Sequence, residues 1–171
     1  MSPPFHVIRR RPASPPVYLL DVDVDQGDRT RAHGALWEGV LNASPEDATD
    51  GPSPVEALLA AVAACFVRNL RWVADGAHVE FTRIALHLAA SRADDPPALE
   101  GVELAVELTT ESLPARVAGV VERALRTGTI TRTVARAVTL QVVVRVNGVP
   151  VPVKIPKWAA RESRAARRLE Q

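Results

Sequence analysis

Sulfur is scarce in this sequence: there is one cysteine, Cys65, and one methionine, at the first position. A single cysteine excludes an internal disulfide and any cysteine-rich zinc site, and it fits a reducing, cytoplasmic setting. Charge excess is also missing, since 21 Lys and Arg stand against 20 Asp and Glu. The chain as a whole therefore lacks the pull that would make nucleic acid or a membrane surface its expected partner. Aromatics are 4% of the residues, too few to interleave with basic residues along a single-stranded nucleic acid. His6, His33, His78 and His87 are scattered without ligand spacing. No Gly-rich phosphate loop and no G-x-S-x-G elbow is found, so no metal and no cofactor is expected. The opening MSPPFHVIRRRP is too polar and proline-rich for a signal peptide.

What the sequence does have is a long apolar stretch, residues 51–76, reading GPSPVEALLAAVAACFVRNLRWVADG. Pro52 and Pro54 punctuate its start, and Ser53 is placed to cap a first helical turn. Over residues 55–67 only Glu56 is charged. Such a run predicts a helix buried on all sides. Arg68, Asn69 and Arg71 end the apolar stretch too early for a membrane span, and Asp75-Gly76 supplies a stop. Near its middle lies Cys65. Taken alone, a cysteine among alanines reads as a small buried hydrophobe.

Around this stretch the chain reads as one domain with short appendages. Residues 1–16, with Arg9 to Arg11 and five prolines, form an N-terminal arm. Residues 17–25 alternate as a strand, with Asp21, Asp23 and Asp25 on a solvated face rather than around a metal. A turn at residues 26–28 leads to a second strand over residues 31–41, and residues 42–51 form a loop. Beyond the helix, residues 78–90 and 102–108 make a hairpin about the turn at Asp94 to Pro97. Thr110 or Ser112 then caps a second helix that ends at Gly128. Residues 129–138 form a short helix and residues 139–146 a strand. Asn147-Gly148 is a hairpin turn, after which residues 149–155 can pair back despite Pro150 and Pro152. Residues 157–171 form a basic helix, leaving 17–156 as the domain proper. The class is α+β.

The phrase G-P-S-P-V-E-A-L-L-A-A-V-A-A-C-F resembles the central-helix signature of the OsmC/Ohr family, the osmotically inducible and organic-hydroperoxide-resistance proteins. Pro54, Glu56, Leu58, Ala60, Ala64 and Cys65 carry the likeness, which extends more loosely over residues 18–146. The resemblance implies antiparallel sheets wrapping a long buried central helix, in an intertwined homodimer with reactive cysteines near the subunit interface. It also implies a thiol peroxidase that reduces organic hydroperoxides at Cys65. A different class is a relative without turnover that binds a small lipophilic ligand at that interface. A third is a surface binder that uses the basic end helix.

Attack on a peroxide needs a thiolate, and the apolar flanks Ala61, Val62 and Ala64 oppose its charge. A cation must offset them. Arg68, three residues on, is within reach, or else it only opens the exposed half of the helix. The family's catalytic arginine falls near Asp28, which puts Arg29 and Arg31 beside its place. Its catalytic glutamate falls at Val55, so Glu56 either substitutes for it or decorates the positive helix terminus. Glu56 lies ~13 Å of rise from Cys65 and cannot touch it within one chain. The family's resolving cysteine, in a C-P-V-x-x-T-L motif, falls at Gly128 in G-T-I-T-R-T-V. An external thiol reductant is therefore implied.

Overall fold

The computed structural model describes residues 20–24, 29–34, 37–42 and 51–156. The chain divides into two compact units, Met1–Ser53 and Pro54–Gln171.

The first unit holds a three-stranded antiparallel sheet of β1 (Leu20–Val24), β2 (Arg29–Gly34) and β3 (Trp37–Asn42), in that order. Strict alternation in LDVDV gives β1 its extended form. The stretch 31–41, expected as a single strand, is two: Gly34 pairs with Trp37 and Arg29 with Asn42. The chain doubles back just after a glycine, a residue that weakens a continuous strand. The arm 1–16, the turn 26–28, most of the loop 42–51 and the basic end 157–171 lie outside the described residues.

The second unit is built on α1 (Pro54–Gly76), a 23-residue helix. It has the length and apolar composition of a spanning helix, with a mean hydropathy of 1.5 over an 18-residue window. Its packing is that of a core helix: Val62, Phe66, Leu70, Val73 and Ala74 recur at helical spacing and are buried. Each of the larger four contributes roughly 1.5–3 kcal/mol by leaving water. Burial on all sides is not what is found. Partners α2 (Pro114–Thr127), α3 (Thr129–Ala137) and β4 (Arg83–Asp94) pack against α1, while Ala60, Ala61, Ala64, Arg68 and Trp72 remain exposed. Composition announces a buried helix, but the packing partners decide which face is covered.

Beside α1 lies a sheet in the order β4, β5 (Pro97–Thr109), β6 (Thr139–Val146) and β7 (Val149–Pro150). Val102, Leu104, Val106 and Leu108 of β5 and Leu140, Val142, Val144 and Val146 of β6 share the buried face with Phe66 and Leu70. The β4–β5 hairpin turns where Asp94 pairs with Pro97, as expected, with an irregularity at Ser91/Arg92. Strand β4 starts at Arg83 rather than at 78. His78 takes a positive φ of 51°, and the Val79 amide returns to the Ala74 carbonyl at 2.9 Å, which uses residues 77–82 to close the end of α1.

One pairing departs from the antiparallel expectation. Strand β6 runs parallel to β5, with Gly101 opposite Thr139 and Leu108 opposite Val146. The helices α2 and α3 occupy the connection and carry the chain back to the starting end of β5, as a parallel neighbour requires. Neither Thr110 nor Ser112 caps α2. Leu113 is the N-cap residue without a side-chain bond, and Pro114 sets the first turn. Gly128 ends α2 as expected and also precedes α3. Pairing after Asn147-Gly148 covers only Val149–Pro150. The prolines limit it, although Val151, Val153 and Ile155 still pack on the core.

Candidate functional site

Cys65 sits on the fourth turn of α1, half-buried and free. Its neighbours along the helix explain that exposure: Val62 and Phe66 point into the core, while Ala61 and Ala64 are exposed. The thiol lies at the border between the two faces. The side chain that reaches it is Asn69, one turn on. Its amide Nδ2 donates to the Cys65 carbonyl at 2.7 Å and lies 3.6 Å from Sγ. Arg68, the cation expected at the sulfur, is exposed. Among the described residues no hydrogen bond or ion pair joins it to Cys65.

The other candidates are placed apart. Glu56 is the acidic residue in the first turn of α1 and is exposed. On the same helix it stands ~13 Å of rise from Cys65. Arg29 and Arg31 occupy β2 of the first unit, opposite Asn42 and Val40. Gly128, where the family resemblance would put a second cysteine, is buried at the junction of α2 and α3. Its φ of −68° and ψ of 113° suit any residue. A Cβ there would lie 3.0 Å from Thr131 Oγ1 and 3.2 Å from Thr131 Cβ. The Thr131 hydroxyl is buried and has no hydrogen-bond partner among the described residues.

Asn69 is the residue whose part the sequence does not declare. Proximity in sequence favoured Arg68 on charge, whereas an amide at i+4 gives only a faint signal. That signal is an asparagine, a poor helix former, in the interior of a long helix. Among the described residues, clefts also open away from the thiol. One of about 640 Å³ opens beyond the end of α1 between Asp75, His78, Glu80, Thr110 and Glu111. Asp75 is ~15 Å of helix rise from Cys65, so this cleft is not the surroundings of the thiol. Two hydrogen bonds tie its frame: Thr110 Oγ1 donates to the Glu80 carbonyl and accepts from the Ser112 amide at 3.1 Å.

A two-layer α+β unit with a single half-exposed thiol on its longest helix defines a class: proteins that carry one partly accessible cysteine on a core helix. Comparison narrows it. Residues 46–143 match the family model described as OsmC-like protein, and the chain belongs to that family. Among solved structures, an OsmC-like protein from Mycoplasma pneumoniae superposes with a TM-score of 0.71 at 17% identity, covering 77% of this chain and 97% of that one. An organic hydroperoxide resistance protein OsmC from Legionella pneumophila gives 0.62 at 17%, over 77% and 100%. The organic hydroperoxide resistance protein OhrB of Bacillus subtilis gives 0.54 at 15%, over 74% and 98%. At these identities the likeness is one of fold. No curated protein sequence matches.

Proposed function

We propose that this protein is a cytoplasmic thiol peroxidase that reduces organic hydroperoxides through Cys65 and acts as a homodimer. The observation that carries this reading is a lone thiol on the family's core helix, half-exposed at the edge of an apolar face. Ala61 and Ala64 favour the alkyl part of an organic peroxide over hydrogen peroxide. Solved relatives named organic hydroperoxide resistance proteins support the same substrate class. The exposed face of α1, with Ala60, Ala61, Ala64 and Trp72, suits burial against a second copy. In this proposal residues 17–156 form the catalytic domain, and residues 1–16 and 157–171 are appendages.

In the reaction the Cys65 thiolate attacks one peroxide oxygen and the O–O bond breaks. The sulfur becomes a sulfenic acid, and the departing alkoxide takes up the proton released on thiol ionisation to leave as an alcohol. Arg68, on the same helix as Cys65, is the candidate to face the developing charge, while Arg29, Arg31 and Glu56 enter this proposal only as what the family resemblance implies. With no second cysteine in the chain, an external thiol condenses with the sulfenic acid and releases water. A second external thiol then frees Cys65 and leaves as a disulfide with the first.

The missing resolver also favours a second reading, a protein without turnover that binds a small lipophilic ligand at the dimer interface. Peroxide consumption with a dithiol supplied separates the two. The wild type is expected to consume cumene hydroperoxide faster than hydrogen peroxide, and Cys65→Ser to lose at least 100-fold, about 2.7 kcal/mol of transition-state stabilisation. Oxidation of Cys65 at the rate of a free thiol, without turnover, leaves the ligand-binding reading.

A further inference from the structure

We propose that Asn69 is a positioning residue that holds the Cys65 sulfur in place and favours its ionised form. The inference rests on Cys65 being the reacting thiol, and it concerns how that thiol is made ready. The amide nitrogen of Asn69 carries two N–H donors. At 2.7 Å, one of them meets the second lone pair of the Cys65 carbonyl, which fixes the Asn69 rotamer. The other faces Sγ at 3.6 Å, within the reach of a sulfur acceptor.

That geometry acts on the charge state. A donor facing sulfur contributes little to a thiol and more to a thiolate, because hydrogen bonds to an ionised acceptor are roughly twice as strong as neutral ones. Ala61 and Ala64 have no group able to do this, and Arg68 points from an exposed position without bonding Cys65. Asn69 is itself half-buried, so water competes less for its amide. A neutral donor also avoids the cost of placing a guanidinium against the apolar edge of the helix. The carbonyl anchor matters as much as the sulfur contact, because an amide that was free to rotate would lose the N–H···S direction.

The test reads the thiol without using peroxide. Iodoacetamide alkylation of full-length wild type, Asn69→Ala and Asn69→Asp is followed at pH 7 and at pH 10. At pH 7 the Ala variant should react about fivefold more slowly, the ratio that one hydrogen bond of ordinary net strength supports. The Asp variant, with the same shape and a negative charge beside the sulfur, should be slower still. At pH 10, above the ordinary range of a thiol, the three rates should converge. Wild-type rates in both variants at pH 7, or equal slowing at both pH values, would overturn the proposal, the latter by showing that only access had changed. If the Ala variant fails to fold, the isosteric Asp variant carries the comparison alone. A wild type that does not consume peroxide removes the peroxidase reading and leaves this result standing.

Discussion

At Asn147 one side chain does the work of a turn and of a clamp. Its φ of 51° lies in the left-handed region, where asparagine is tolerated better than most residues. Its Oδ1 accepts from the Thr110 amide at 3.1 Å, and its Nδ2 donates to the Thr110 carbonyl at 2.8 Å. Asn147→Ala should therefore cost about 2–3 kcal/mol, near 1 for each hydrogen bond and the rest for the backbone. Asn147→Gly should recover only the backbone part. Urea unfolding of the three proteins checks this, and an Ala variant within ~0.5 kcal/mol of wild type would show that the clamp contributes nothing. The turn itself is legible in the sequence, because Asn-Gly is a local signal. The clamp is not, since it joins residues 37 apart in the chain. Asn69 makes the same point at the thiol: charge drew attention to Arg68, and only the helix geometry shows the amide against the sulfur.

Elements were easier to read than their neighbours. The alternation in TLQVVVRV names the buried face of β6 correctly, with every second residue from Leu140 to Val146 inside. It holds no information on which strand lies beside it or in which direction, and so the parallel pairing with β5 had to come from the structure. Likewise α1 was legible as a core helix, but not that one face would stay open. The junction of α2 and α3 supports a prediction at this scale. If Gly128 occupies the resolving position of the family, a cysteine placed there should form a disulfide with Cys65 on mild oxidation. The Thr131 side chain crowds the new Cβ, so the pair Gly128→Cys and Thr131→Ala should crosslink more completely than Gly128→Cys alone. Intact mass before and after reduction measures it. A folded double variant that shows no crosslink would place Gly128 away from the thiol and undo the alignment.

For the whole molecule, the family's dimer and the chain's basic end are separable questions. Among the described residues the last to pack on the core is Ile155, and the Lys154 amide is tied to Glu122 Oε1 at 2.7 Å, which fixes the last described stretch on α2. Ending the chain at Pro156 should therefore leave dimerisation and Cys65 oxidation within about twofold of the full protein, or ~0.4 kcal/mol. Sedimentation across a dilution series reads the first and mass spectrometry the second. A truncated chain that sediments as monomer would show that residues 157–171 build the interface. The exposed face of α1 has its own consequence here. Trp72, 67% exposed in the single chain, would pass from water into a drier setting when two copies associate there. With Trp37 and Trp158 replaced by phenylalanine, the remaining indole becomes a built-in fluorophore. Its emission would move to longer wavelength as the protein is diluted, so the assembly could be followed by colour alone, without a label.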